Sequence, residues 1–257
     1  MNYQIPDFAK RKPRTRIICT IGPASGSVEA VTGLIEAGMS VARLNLAHGT
    51  FGVHHNYVET IRNATVSKDA SIGILADLPG PKYRLGMVDG ESVTLLEGDT
   101  FTLVSGGTCA GDRDSAAVLP TGIHNDLHIG AHVLINDGAI RLRVNQISGK
   151  EARCTILNGG TLKSRKAVAA PGCVSTLEYF THETKTALDF AIEQRVDYVG
   201  LSYVRSERDV LKARSILDKA NVIPQLIAKI ELREAVENIG SILQIADGVM
   251  VARGDLG

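Results

Sequence analysis

"IGILADLPGPKYRLG", residues 72–86, decides how the rest of this 257-residue chain is read. It opens on an apolar run, Ile72-Gly73-Ile74-Leu75-Ala76, with none of the alternation of a half-exposed strand. Such a run reads as a strand buried on both faces, as in a parallel sheet. At Asp77 the character changes, and Pro79-Gly80-Pro81 breaks the element before Gly86, which reads as a hinge. Beyond it the style is different. Residues 87–170 carry short alternating strands and Gly/Asp/Asn turns, as in "GAHVLINDGAIRLRVNQISGKEARCTILNGG". That is the pattern of a small antiparallel β domain, inserted after a parallel strand and closed by a second hinge at Pro171-Gly172.

Outward from this stretch, the same continuous apolar runs recur. They are Ile17–Ile21, Val41–Leu44, Tyr198–Leu201, Ile223–Ile230 and Val249–Ala252. Amphipathic helical patterns lie between them. Residues 28–37 follow Ser27 and stop at Gly38, which suits an N-cap and a C′ glycine. Ser206-Glu207-Arg208-Asp209 has the form of a capping box ahead of a helix over 207–219, and residues 182–194 and 232–245 are also helical in period. Strand, helix, parallel strand is the βα repeat. The expected fold is therefore α/β: an incomplete (β/α)₈ TIM-type barrel of about six units, residues 1–86 and 171–257, with a small antiparallel β-barrel lid inserted over 87–170. A full barrel has eight strands in about 250 residues without insertions.

Composition sets limits on function. The formal net charge is zero and only 4% of residues are aromatic, which favours neither nucleic acid nor a membrane surface. The basic run Lys10-Arg11-Lys12-Pro13-Arg14 reads as a solvated arm. Cys19, Cys109, Cys154 and Cys173 form no CxxC pair, so a disulfide framework or zinc cluster is not expected. No signal peptide and no bilayer-spanning run are recognised, and a reduced, cytoplasmic setting is expected.

In a parallel barrel the active site gathers at the C-terminal ends of the strands. Four strand ends carry dense polar clusters: "VARLNLAHG", "ILADLPGPKYRLG", "IAKIE" and "VARGD". Lys229 and Glu231 are two apart and share a strand face, as do Arg43 and Asn45. Asp255 follows the sixth strand, so Glu231 and Asp255 could share a hard cation such as Mg²⁺. Arg43, Arg84 and Lys229 would add positive charge on the same face. Such a set suits a phosphoryl group, whose transfer depends on positioning and charge stabilisation. Plainer readings stand beside this one: Lys229–Glu231 as a rim salt bridge, Arg43–Asp77 as a structural ion pair, His48 as a turn residue.

Taken in order, "RIICTIGPAS", "GMSVARLNLAHGT", "LADLPGPKYRLG", "INDGAIRLRV", "IAKIE" and "DGVMVARGDLG" resemble the N-terminal half of the pyruvate kinase family, over about residues 14–257. The resemblance implies transfer of a phosphoryl group from phosphoenolpyruvate to ADP, giving pyruvate and ATP, with Mg²⁺ or Mn²⁺. It implies Glu231 and Asp255 as metal ligands, and Lys229 and Arg43 at the transferring phosphoryl group. Backbone amides around Arg253, Gly254 and Asp255 would hold the substrate carboxylate. Arg84, His48, Asn45 and Lys166 would face the nucleotide. The family's monovalent-cation site keeps Asn45 and Asp77 here. Leu78 stands where a Thr is usual, Ala47 where a Ser is, and Lys82 where a Glu is, which resembles the branch that does not require K⁺. The ammonium of Lys82 would supply the charge K⁺ brings elsewhere.

Strands seven and eight, the threonine after strand seven and the C-terminal domain have no counterpart in these 257 residues. Two other readings follow: a non-catalytic fragment or binding module, or another Mg²⁺–enolate enzyme of decarboxylase or aldolase type. Open sheet edges would favour self-association.

Overall fold

The computed structural model describes residues 15–107 and 109–256, and of residues 255 and 256 the backbone only. The basic run 10–14 lies outside the described residues. The chain forms two compact units, residues 1–80 with 180–257, and residues 81–179.

The first unit is a curled six-stranded parallel sheet. Its strands, in spatial and chain order alike, are Ile17–Ile21, Met39–Asn45, Gly73–Leu78, Tyr198–Leu201, Gln225–Ile230 and Gly248–Val251. All five pairings are parallel. Helices Val28–Glu36, Phe51–Ser67, His182–Glu193 and Glu207–Lys219 supply the first four crossovers, and the short pair Arg233–Glu237 and Ile239–Ile245 the fifth. The sheet is an incomplete TIM-type barrel, with the insertion between its third and fourth strands.

Two aspartates fix the register at the end of the sheet where strands begin. Asp197 accepts a hydrogen bond from the Ile74 amide at 2.7 Å, and its own amide donates to the Ile74 carbonyl. Asp247 repeats the device on the Leu226 amide, also at 2.7 Å. Each carboxylate thereby satisfies a strand-end donor that would otherwise need water.

Helix ends follow local chemistry. Ser27 caps its helix by accepting from the Ala30 amide at 3.2 Å, and Gly38 takes φ +101° just past the helix end. The capping box expected at Ser206 does not form. Ser206 occupies the N-cap without a side-chain cap bond, and Asp209, buried, accepts from the Arg205 amide at 2.9 Å rather than from the Ser206 amide and pairs with the Arg205 guanidinium. The single helix expected over 232–245 is two, Arg233–Glu237 and Ile239–Ile245, broken at Asn238, whose side chain donates to the Arg205 carbonyl.

The second unit is a closed seven-stranded barrel with a two-stranded ribbon, Val93–Leu95 with Gly160–Leu162. In barrel order its strands are Glu151–Asn158, Thr100–Ser105, Ser115–Leu119, Tyr83–Leu85, Ala167–Ala169, His132–Ile135 and Ile140–Ser148. Inward positions alternate strictly along Ile140–Val144 and Ala152–Ile156, and the interior is filled by Phe101, Leu103, Val118, Val133, Leu142 and their neighbours. The barrel is antiparallel except for one parallel pair, Thr100–Ser105 with Ser115–Leu119, where the expectation was of antiparallel pairing throughout. Its boundaries also fall wider than 87–170. Strand Tyr83–Leu85 pairs with Ala167–Ala169 and Ser115–Leu119, so the residues just before Gly86 close the small barrel.

Candidate active site

The polar cluster lies at the C-terminal ends of the parallel strands and is built around Asp77, 1% exposed. Arg43, on the second strand, reaches across to the third. Its Nε donates to Asp77 Oδ2 at 2.8 Å and a terminal nitrogen sits 2.6 Å from the same oxygen. The other terminal nitrogen donates to Thr20 Oγ1 at 2.8 Å, on the first strand. Lys229, on the fifth strand, extends its ammonium to Asp77 Oδ1 at 3.1 Å, Glu231 Oε1 at 3.0 Å and Ser202 Oγ at 2.8 Å. Ser202 Oγ in turn donates to Asp77 Oδ1 at 3.1 Å. Glu231 is held from its other side by the Tyr203 amide, which donates to Oε2 at 2.7 Å.

Five of the six parallel strands thus contribute to one network. Lys229 and Glu231 are 8% and 3% exposed, so their ion pair is buried rather than a rim contact. Arg43–Asp77 is an ion pair as well, and it is continuous with Lys229. Two cations face two carboxylates, so the described cluster is close to neutral. Buried charges are tolerated only when paired and hydrogen-bonded, and removing one partner of such a set costs about 3–5 kcal/mol.

Other sequence-derived candidates sit elsewhere. Asn45 ends the second strand but turns its Oδ1 to the Ala47 amide at 3.2 Å, within its own loop. His48 is exposed, and it is its carbonyl that is engaged, accepting from His54 Nε2 at 2.7 Å. Leu78 is a buried apolar residue beside Asp77. Lys82, Arg84 and Lys166 belong to the second unit. There Arg84 pairs across the strands with Ala167, and the Lys166 carbonyl accepts from the Leu85 amide at 2.9 Å, so Lys166 lies just before the strand that pairs with Arg84. Arg253 and Gly254 open a single helical turn, Arg253–Leu256, after the sixth strand. The Asp255 backbone belongs to that turn and its side chain lies outside the described residues.

Three participants were not among the candidates read from the sequence: Thr20, Ser202 and the Tyr203 amide. Ser202 had a signal. "GLSYVRS" places the first polar residue after the apolar fourth strand, the same pattern that flagged the other strand ends.

The donor chemistry suits a hard divalent cation. Glu231 presents two carboxylate oxygens, each with lone-pair capacity beyond its present contact. Mg²⁺ takes one or two protein carboxylates and completes its shell with substrate oxygens and water. Among the described residues no three His, Cys, Asp or Glu side chains converge tightly enough to hold a metal by themselves.

A parallel β/α sheet with cationic and carboxylate groups gathered at its strand ends defines the class: an incomplete TIM-type barrel with its polar cluster where such barrels carry their active sites. Comparison with known proteins narrows it. Residues 12–257 match the family described as pyruvate kinase, barrel domain, and the chain belongs to the pyruvate kinase family. It is 42% identical over 244 residues to a pyruvate kinase of Thermococcus litoralis, a match covering 95% of this chain and 51% of that relative. Against a Bacillus licheniformis pyruvate kinase the identity is 42% over 247 residues, covering 95% and 42%. A crystal structure of a pyruvate kinase from Cryptosporidium parvum superposes with a TM-score of 0.89 at 36% identity, covering 95% of this chain and 51% of that one. The chain spans about half the length of the relatives it matches. No helix among the described residues is long and apolar enough to cross a membrane.

Proposed function

We propose that this chain carries the phosphoryl-transfer half of a pyruvate kinase, acting on phosphoenolpyruvate and ADP. The observation that supports it most is Lys229, buried between Asp77 and Glu231 with its ammonium held by three partners at the strand ends. In this reading the Arg43 guanidinium, fixed by Asp77 and Thr20, orients the substrate phosphate. The Lys229 ammonium balances charge as an ADP β-phosphate oxygen attacks phosphorus and the enolate oxygen leaves. The enolate carbon then takes a proton to give pyruvate. Glu231 with Asp255 would hold Mg²⁺ or Mn²⁺, which supplies charge neutralisation when bound. A near-neutral cluster favours joint entry of dication and polyanion over either alone, since their charges offset each other.

Arg84, Lys166, His48 and Asn45 are proposed for the nucleotide, and the amides of Arg253, Gly254 and Asp255 for the substrate carboxylate. K⁺ independence is proposed on Leu78 and Lys82. Pairing between copies of this chain is proposed through the outer edges of the first and sixth strands, which have no partner strand among the described residues.

The test is pyruvate formation from phosphoenolpyruvate and ADP with Mg²⁺, coupled to lactate dehydrogenase. Turnover at equal rates in K⁺ and choline buffers, abolished by Glu231→Ala, is expected. Absence of turnover from folded protein would sink the proposal and leave a non-catalytic member of the family.

A further inference from the structure

Lys229 and Glu231 touch, yet the proposed chemistry asks them to serve different ligands. A cation arriving at Glu231 repels the ammonium beside it. The side chain of Lys229 is long and flexible, and the loss of one of its partners would free it to swing away unless the others are rigid.

The fourth strand ends in a corner that addresses this. Ser202, 6% exposed, accepts from Lys229 Nζ and donates to Asp77 Oδ1. The next residue, Tyr203, adopts φ +56°. That left-handed conformation is uncommon for a residue with a bulky side chain, and where it persists the surroundings impose it. The Tyr203 amide, at the entry to this turn, donates to Glu231 Oε2. Adjacent residues therefore grip the two oppositely charged groups, the hydroxyl on the ammonium and the amide on the carboxylate. Gly80 makes room for the corner: a Cβ at that position would lie 2.6 Å from the Ser202 carbonyl oxygen and from the Tyr203 ring.

We propose that Ser202–Tyr203 is a positioning corner that holds Lys229 and Glu231 independently of one another, so that each keeps its aim when the other takes a ligand. Ser202 and Tyr203 are positioning residues here. The consequence for substrate rests on the phosphoryl-transfer reading above, while the grip itself does not.

Two measurements on the full chain test it. In the first, the ligand-free protein is trace-labelled with acetic anhydride, and the ratio of Lys229 to Lys219 acetylation is read by mass spectrometry. Losing the Ser202 hydroxyl loosens the Lys229 side chain and opens its amine to the reagent; the amine attacks the anhydride with loss of acetate and a proton, so Ser202→Ala should raise the ratio about tenfold. Ser202→Thr, which keeps the hydroxyl, should restore it. An unchanged ratio in folded Ser202→Ala overturns the proposal, because a residue that merely packs would leave it unmoved. In the second, Mn²⁺ binding is followed by electron paramagnetic resonance. Tyr203→Gly keeps the left-handed turn without strain and should bind as the parent does, whereas Tyr203→Val, β-branched, should bind about tenfold more weakly. Equal affinities for the two variants overturn the role of the turn. A parent chain that binds no Mn²⁺, with the acetylation ratio still raised in Ser202→Ala, supports the corner and sinks the phosphoryl-transfer reading.

Discussion

Asp77 receives Arg43 on one oxygen and Lys229 with Ser202 on the other, so one buried carboxylate ties the second, third and fifth strands together. Arg43–Asp77 is the structural ion pair that the bland reading expected, and it is also what fixes a guanidinium at the strand ends. Side-chain polarity and strand position made Arg43, Lys229 and Glu231 legible. Ser202 and Thr20 were not singled out, because a lone hydroxyl carries no charge to draw attention, even where, as at Ser202, its place at a strand end was a signal. The Tyr203 amide was invisible, since it depends on a backbone conformation and not on a residue type. Residues of the small barrel give a prediction of their own. Burial pushes the Cys154 thiol up to about 12 from an ordinary 9.0, and burial followed by the Asp126 hydrogen bond pushes the Tyr83 phenol up as well. Between the ordinary thiol value and the raised one, the folded chain holds a proton that the unfolded chain has lost. Stability therefore falls as pH rises through that window, by up to about 1.4 kcal/mol per pH unit for one group. Urea unfolding from pH 8 to 11 should show this decline, and Cys154→Ala should lessen its slope while Tyr83 maintains the remainder. An identical slope in the variant would refute the assignment.

At the level of elements, the six parallel strands were readable as continuous apolar runs, although only the inner ones are buried on both faces, and the small-barrel strands because burial on one face leaves alternation. Element ends were less so. The fifth strand begins at Gln225, whereas the apolar run beginning at Ile223 suggested an earlier start, and Ile223 is 85% exposed. The run 232–245 is helical in period, but Asn238 spends its side chain on the Arg205 carbonyl and splits the helix. Ser27 and Ser206 make the contrast testable. Both precede helices, both have extended backbone, and only Ser27 accepts from a helix amide. Ser27→Ala should cost about 1 kcal/mol by urea denaturation, while Ser206→Ala should stay within about 0.5 kcal/mol. Equal costs would mean that the cap bond at Ser27 contributes nothing.

The whole molecule presents two sheets with opposite answers to the same problem. Among the described residues the small barrel closes on itself, while the first and sixth strands of the parallel sheet each pair with one neighbour. On those strands Ile17 and Ile18 are 45% and 49% exposed and Val251 is 61% exposed. Edges of this kind recruit further strands unless charge blocks them. Sedimentation velocity should show association that rises with concentration, and the double variant Ile18→Lys, Val251→Lys should shift it toward monomer. A parent chain that stays monomeric at every concentration would refute edge pairing. The division into two units has a consequence for how the chain acquires its shape during synthesis. Leu78 and Leu201 are partners in adjacent strands, yet the entire small barrel is translated between them. Left as open coil, that insert would burden the closing of the loop with entropy that grows, slowly, with its length. Folded first, it becomes a compact bead with its own interior, and the third strand needs only to await the fourth. The emerging polypeptide is thus arranged so that its most self-sufficient part matures before its most dependent pairing is made.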